Sequence, residues 1–167
     1  MSIDEPFAAD DDLDRDEGPS RDRAEVASMQ AADLDDLVRI DAKLTGRDRR
    51  AYMARKLDEA LLDSGVRVSL TARLDGLGVG FLMARIDFGD MGHTQATAVI
   101  DTIGVDPGFA GRGVGKALLS QLLVNLRGLQ VERVETTLAQ TDLGLLGFLY
   151  RCGFQPSERI ALEKRIT

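Results

Sequence analysis

The chain has 167 residues, of which 44% are hydrophobic, a net charge of −7 and one cysteine. This length favours one domain with its own core, and the lone Cys152 excludes an internal disulfide framework. No apolar run reaches the roughly 18 residues that span a bilayer. The acidic N-terminus also lacks the basic-then-apolar form of a signal peptide, so we expect a cytoplasmic protein.

The net charge is concentrated at the N-terminus, because residues 1–25 hold ten acidic side chains against three arginines and the remainder is neutral. A neutral domain with an acidic tail is not typical of nucleic-acid binding, and we expect neither nucleic-acid nor membrane partners. We interpret residues 1–24 as an acidic disordered tail and residues 25–167 as the folded domain. The tail either solubilises the protein or acts as an acidic segment that binds a partner or covers a pocket.

Apolar periodicity and turn signals predict ten elements in the order β-α-α-β-β-β-α-β-α-β. The first six are a strand at Val26–Gln30, a helix from Leu34 capped by Asp33, a helix over about Asp48–Asp63, and strands at Val66–Leu74, Val79–Phe88 and Ala96–Val105. The last four are a helix from Val114 to about Arg127, a strand at Val131–Leu138, a helix between Asp142 and Gly153, and a strand at Arg159–Ile166. The three central strands should form an antiparallel meander, whose first strand alternates as a half-buried strand does. The helix that follows the meander is a crossover to a parallel strand.

The segment Asp101–Leu119, with the sequence DTIGVDPGFAGRGVGKALL, is the most informative part of the chain. It reads as a buried strand, a turn at Pro107 and a helix opened by the Gly-rich turn Gly111–Lys116. The free N–H groups and the dipole at a helix N-terminus can hold a phosphate or pyrophosphate. Gly113 allows close approach of the anion to the backbone. Positive charge is available from Arg112 and Lys116.

Two well-known phosphate loops do not fit this turn. The Walker pattern requires Gly where Ala110 stands and Ser or Thr where Ala117 stands. The dinucleotide fingerprint requires its third glycine at Lys116 or Leu118, depending on where it begins. A nucleotide-binding function is therefore disfavoured.

The run Arg-Gly-Val-Gly-Lys-Ala-Leu-Leu, after a strand ending Val-Asp-Pro-Gly-Phe, resembles the acetyl-CoA loop of the GNAT N-acetyltransferase superfamily. Gly113 and Gly115 match the two small positions of its Gln/Arg-x-x-Gly-x-Gly/Ala pattern, whereas Ala110 stands where Gln or Arg is usual. The predicted element order over residues 26–166 is also that of the GNAT fold. The resemblance implies an α+β, three-layer fold with a mixed, mostly antiparallel sheet of six to seven strands flanked by about four helices.

The resemblance also implies the cofactor site, with acetyl-CoA as co-substrate. Strands 4 and 5 of that fold splay apart, and the free edge of strand 4 pairs with the pantetheine arm, here at Ile103, Gly104 and Val105. The pyrophosphate would lie on the turn formed by Gly111, Arg112, Gly113, Val114, Gly115 and Lys116. A second motif, Asn-x-x-Ala-x-x-x-Tyr-x-x-x-Gly-Phe, aligns with the chain so that Asp142 takes the Asn position and is expected at the cofactor.

Acetyl transfer from a thioester to an amine requires an N–H donor for the carbonyl oxygen and a base for the amine, and it benefits from an acid for the thiolate. The donor would be the backbone near Val105. Leu149 occupies the position of the usual acid, a tyrosine; Tyr150, one residue on, either takes this role or packs at the helix end. The candidate bases are Asp101, Glu135 and His93. Asp101 would share a face with Ile103 and Val105 in a regular strand, and is either the base or part of an ion pair with an arginine.

These observations support two hypotheses. The first is an N-acetyltransferase that moves an acetyl group from acetyl-CoA to a primary amine by direct attack in a ternary complex. The second is an acyl-CoA-binding module of the same fold with little or no catalysis. We expect no metal, because no Cys/His cluster has ligand spacing.

The acceptor is expected to be a small-molecule or peptide amine. In this fold it would meet the regions Leu44–Tyr52 and Phe88–Thr94. The arginines there, Arg47, Arg49 and Arg50, either recognise an anionic acceptor or form a solvated face. Relatives in the superfamily are often dimers, which makes a homodimer an expectation as well.

Overall fold

The structure, a computed structural model, describes residues 23–62, 68–88 and 95–166. The chain divides into two compact units, one ending at Thr136 and the other beginning at Thr137. The first unit contains β1 (Glu25–Ser28), α1 (Leu34–Thr45), α2 (Arg50–Leu62), β2 (Leu70–Leu74), β3 (Leu77–Asp87), β4 (Thr97–Val105), α3 (Val114–Gly128) and β5 (Arg133–Thr136). The second unit contains α4 (Leu143–Arg151).

The sheet has the strand order β1-β2-β3-β4-β5. The first four strands pair antiparallel, and β4 pairs parallel with β5. The predicted meander and the parallel crossover through α3 are therefore confirmed, as are the α+β class and the four helices within the described residues. The predicted number of strands, six to seven, is too high, since the described residues form five.

The predicted last strand, Arg159–Ile166, is wrong. No strand is assigned there, and its large apolar side chains are almost fully exposed: Ile160 by 85%, Leu162 by 94% and Ile166 by 95%. The alternation of apolar and charged residues is typical of a half-buried strand. A strand also needs a neighbour to complete its backbone hydrogen bonds, which the alternation does not guarantee.

The two faces of the central sheet are covered by different helices. On one face, α1 and α2 pack on Phe81 and Met83 of β3, with Leu37, Ile40 and Leu57 in the same cluster. On the other face, α3 lies so close to β3 that a Cβ added to Gly80 would be 2.7 Å from Val114 Cγ1. The sheet is thus buried on both sides at its centre.

This double cover corrects the prediction that the β2 segment is a half-buried strand. Residues Leu70–Ala72 are all buried, including the polar Thr71. The Thr71 hydroxyl donates to Asp33 Oδ2 at 2.9 Å, which satisfies it in the interior. A polar residue that alternates with apolar ones is typical of the solvent-facing side of a strand, but the partner of Thr71 is another buried side chain.

Asp33 also differs from its prediction. Helix α1 does begin at Leu34, yet the Asp33 side chain makes no capping hydrogen bond to it. Its carboxylate accepts from the Gln30 N–H at 2.8 Å and pairs with Arg73 of β2, as well as accepting from Thr71. Asp33 therefore ties the start of α1 to β2.

Some predictions fall outside the described residues: most of the acidic tail (residues 1–22), Val66 at the start of the predicted second strand, the turn at 89–92, and His93. Within the ranges that are described, no helix is both long and apolar enough to cross a membrane.

Candidate functional site

The second half of β4 has an open edge. Its pairing with β5 ends at Ile100↔Thr136, where the Thr136 hydroxyl donates to the Ile100 carbonyl at 3.0 Å. Pairing with β3 continues to Gly80↔Val105, after which the Asp106 N–H donates to the Val79 carbonyl at 2.8 Å. The β5-side edge of β4 beyond Ile100 is therefore unpaired within the described sheet.

The alternation of an antiparallel ladder assigns the backbone groups along this edge. Because Asp106 bonds to β3, the backbone N–H and C=O groups of Val105 and Ile103 point to the opposite, open side. Gly104 lies between them, and by the same alternation its backbone faces β3. A Cβ at Gly104 would be 2.8 Å from the Phe81 ring, so glycine is needed there for packing.

A β-bulge interrupts β4 at Asp101. The β3 register passes from Met83↔Thr102 to Ala84↔Ile100, which leaves Asp101 as the extra residue. The bulge overturns the expectation that Asp101 shares a face with Ile103 and Val105. Its carboxylate instead pairs with Arg85 of β3, on the face covered by α1 and α2.

The other predicted base among the described residues, Glu135, lies on β5 in register with Val99, which in turn pairs with Arg85. Residues in register across a sheet share a face. The fold therefore places Glu135 and Asp101 on the same face. The Glu135 carboxylate lies 3.8 Å from Arg133 Nη1.

The Gly-rich turn follows directly from the open edge. Pro107–Phe109 forms a 3-10 turn, and α3 begins at Val114 with Gly113 as its N-cap. Gly111 and Gly113 both have φ of +75°, a left-handed conformation that side chains disfavour. A Cβ at either position would have nothing within 4 Å, so conformation and not space requires glycine there.

The start of α3 presents free backbone donors. The first hydrogen bond of the helix runs from the Ala117 N–H to the Gly113 carbonyl at 2.9 Å. The N–H groups of Gly113–Lys116 accordingly have no acceptor within the helix, and the helix dipole adds partial positive charge there. Arg112 lies beside them, with its guanidinium 5.4 Å from the centre of the Phe109 ring.

Sequence reasoning missed a buried carboxylate next to this turn. The Asp106 side chain is completely buried and pairs with Arg39 Nη1 at 2.8 Å and Lys43 Nζ at 2.9 Å, both from α1. Burial alone would raise the pKa of Asp106, but hydrogen bonds from Lys43, the Gly108 N–H and Arg39 bring it below its usual value. The available signal was the pair of cations four residues apart in α1.

The arginines after α1 are engaged within the protein. Arg49 makes a bidentate ion pair with the buried Asp41, at 2.9 and 2.6 Å, and lies 4.6 Å from the Tyr52 ring centre. Arg50 pairs with Asp35 at 2.7 Å. Arg49 is therefore held by a buried carboxylate, whereas Arg50 and Asp35 form an exposed ion pair, and an acceptor anion would have to compete with both carboxylates.

In the second unit, α4 begins as predicted. The Asp142 carboxylate accepts from the Leu145 N–H at 3.1 Å and caps the helix, while Gly153 ends it at φ +87°. Leu149, at the position of the family tyrosine, is buried, and Tyr150 is 49% exposed. Cys152 is half-buried.

No group of three or more Asp, Glu, Cys or His side chains in the described ranges could hold a metal ion.

The open edge of β4 and the donor-rich start of α3 define an acetyltransferase-type fold. Residues 34–154, most of the chain, match the model of the acetyltransferase (GNAT) family. The protein belongs to this family.

Solved structures agree with the fold. An aminoglycoside N-acetyltransferase in complex with CoA is similar with a TM-score of 0.73 and 18% identity, covering 86% of this chain and 95% of that one. An aminoglycoside 6'-N-acetyltransferase from Acinetobacter baumannii gives 0.72 and 17%, covering 87% and 99%. A ribosomal-protein-alanine N-acetyltransferase from Brucella melitensis biovar Abortus 2308 gives 0.67 and 18%, covering 86% and 100%.

Proposed function

We propose that the protein is an acetyl-CoA-dependent N-acetyltransferase that acts on a primary amine by direct attack in a ternary complex. One observation carries the proposal: the unpaired edge at Ile103 and Val105 leads, within one unit, to the free N–H groups of Gly113–Lys116. In CoA, an extended arm that contains amides is joined to a pyrophosphate. The amides suit the unpaired edge of β4, and the pyrophosphate suits the N–H groups that follow it at the start of α3.

The cofactor would be held mainly by the backbone. The amides of the pantetheine arm would extend the sheet at β4, as a peptide does when it adds to a sheet edge. The pyrophosphate would accept from the N–H groups of Gly113, Val114, Gly115 and Lys116, with Arg112 and Gly111 completing the turn. Ala110 supplies no side-chain donor, so the pyrophosphate would be bound by the backbone N–H groups and by the charges of Arg112 and Lys116 alone. Asp142, already the α4 cap, remains a predicted cofactor contact.

In the chemical step, the Val105 N–H would stabilise the charge that develops on the thioester oxygen. A base would take the proton of the attacking amine, directly or through water. Asp101 and Glu135 are the proposed candidates because they share one face of the sheet beside the β4 bulge; Asp101 would have to leave its ion pair with Arg85 to act as the base. Tyr150 is the proposed acid for the departing thiolate.

The acceptor class is left at primary amines. The similar solved structures include enzymes named for aminoglycosides and for the alanine of a ribosomal protein. Both kinds of acceptor therefore belong in a first screen. We do not assign Arg49 or Arg50 to acceptor binding, because each has an intramolecular carboxylate partner.

The test is release of free CoA thiol from acetyl-CoA in the presence of aminoglycosides, amino-terminal peptides, polyamines and amino acids. We expect turnover with at least one amine, a loss of about 10²-fold in kcat for Asp101→Asn, and a smaller loss for Tyr150→Phe. Asp75→Asn, in the β2–β3 turn, is the matched control and should leave kcat unchanged.

The variants and the screen separate the two hypotheses. Unchanged kcat in Asp101→Asn and Tyr150→Phe would remove both residues from the mechanism. Tight acetyl-CoA binding without turnover of any amine in the screen would favour an acyl-CoA-binding module instead of an enzyme.

A further inference from the structure

The Asp106 anchor, formed by Asp106, Arg39 and Lys43, lies between the end of β4 and the Gly-rich turn. Both Asp106 carboxylate oxygens are used: Oδ2 by Arg39 and Lys43, and Oδ1 by Lys43 at 3.1 Å. A buried carboxylate is tolerated when its charge and lone pairs are satisfied in this way. The anchor therefore fixes the position of Asp106 relative to α1.

A chain of contacts leads from the Asp106 anchor to the Gly-rich turn. Asp106 Oδ1 also accepts from the Gly108 N–H at 2.9 Å, and its backbone carbonyl accepts from the Phe109 N–H at 2.8 Å. The Phe109 ring in turn lies under the Arg112 guanidinium. Every step from α1 to the first cation of the turn is thus a specific contact.

The anchor also joins α1 to the start of β3. Arg39 donates to the Gly78 carbonyl and pairs with Asp36 at 2.9 Å, while Asp36 accepts from the Gly78 N–H at 3.2 Å. The Asp106 N–H donates to the neighbouring Val79 carbonyl. One face of α1 therefore holds the beginning of β3 and the end of β4 together.

The turn itself has little packing of its own at its two left-handed glycines. The Cβ directions of Gly111 and Gly113 meet nothing within 4 Å, and residues Gly111–Gly113 are exposed. The position of the turn is consequently set at its two ends: by Asp106 before it and by the buried Val114 after it.

We propose that Asp106, held by Arg39 and Lys43, is a positioning residue that sets the Gly111–Lys116 turn for the pyrophosphate of acetyl-CoA. The proposal rests on the proposed function for its ligand, but the effect on the turn is a property of the free protein. Asp106 acts through the turn and does not itself contact the cofactor.

The experiment compares Asp106→Asn with the control Asp33→Asn. Asp33 is also a buried, ion-paired aspartate, but it ties α1 to β2 and not to the turn. One measurement is kcat/KM for acetyl-CoA and for S-acetylpantetheine, which lacks the pyrophosphate. The other is amide hydrogen exchange of residues 109–116 without ligand.

We expect Asp106→Asn to raise the KM for acetyl-CoA, and so lower its kcat/KM, by about tenfold, to affect the kinetics with S-acetylpantetheine much less, and to speed exchange in 109–116. Asp33→Asn should lower Tm without either effect. Lys43→Met should show a milder form of the Asp106→Asn result, whereas Lys43→Arg, which keeps the positive charge, should behave like the wild type. These two variants replace Asp106→Asn as the test if Asp106→Asn does not fold.

Equal losses with acetyl-CoA and S-acetylpantetheine, or exchange in 109–116 that matches Asp33→Asn, would overturn the proposal. If the wild-type protein binds no acetyl-CoA, the proposed function fails. The exchange comparison then decides alone whether Asp106 sets the turn.

Discussion

At the residue scale, Gly113 and Asp106 are explained by different physical causes. Gly113 has a φ of +75° at the N-cap of α3, which is the conformational basis for glycine at that position. The role of Asp106 comes from its distant partners. Within Asp-Pro-Gly it reads as a turn residue, and only the tertiary structure brings two cations of α1 to it.

Asp106 also predicts a pH dependence of stability. Its folded-state pKa lies below the ordinary value of 3.8, because the bonds from Lys43, Gly108 and Arg39 outweigh burial. A depressed carboxyl pKa contributes stability that is present above the unfolded pKa and lost as the pH falls through the folded pKa. The contribution of Asp106 should therefore be complete at pH 7 and decline below about pH 4.

Urea unfolding of the wild type and Asp106→Asn between pH 7 and pH 3 measures this contribution. We expect the variant to be less stable by about 1–3 kcal/mol at pH 7, since Lys43 and Arg39 are partly exposed and solvent weakens the pairs. The difference should shrink as the pH falls below about 4. A difference that stays constant down to pH 3 would show that the Asp106 charge does not contribute this stability.

At the element scale, hydrophobic periodicity predicted the long helices and the central strands well. It failed at two places where a partner decides the outcome: the Asp101 bulge, which depends on the register with β3, and residues Arg159–Ile166, which have a strand pattern without a strand pairing. The alternation within β4 assigned Asp101 to the wrong face because one extra residue reverses every later side chain.

The contact between β3 and α3 gives the second prediction on stability. Gly80→Ala places a Cβ 2.7 Å from Val114 Cγ1 and 3.2 Å from Leu118 Cδ1, and the branched Val114 side chain has few ways to yield. We expect a loss of about 1–3 kcal/mol in the free energy of unfolding, measured by chemical denaturation.

The double variant Gly80→Ala/Val114→Ala is the control. Removing the Val114 methyl groups makes room for the new Cβ, so the double variant should lose less than the sum of the two single losses. Strict additivity would mean that α3 moves away from β3 without strain, contrary to the packing described.

At the scale of the whole molecule, the family and the general architecture could be predicted, because the Gly-rich turn and the element order together are specific. The acceptor amine could not be predicted from the sequence. The residues expected to meet it include arginines whose carboxylate partners, Asp41 and Asp35, lie elsewhere in the sequence. The catalytic roles of Asp101, Glu135 and Tyr150 stay predictions because each role is defined by the position of a bound substrate.

The most direct test of an acetyl-CoA site at the start of α3 is calorimetric titration of acetyl-CoA into the wild-type protein, with ATP and pantetheine as ligand controls. We expect micromolar binding of acetyl-CoA and little binding of ATP. We also expect binding about tenfold weaker in Gly113→Ala, because relief of the roughly 1–2 kcal/mol strain of a side chain at φ +75° shifts the donors, but not in Gly128→Ala at the other end of α3. No acetyl-CoA binding by the wild type, or equal affinity in Gly113→Ala and the wild type, would contradict a cofactor site at this turn.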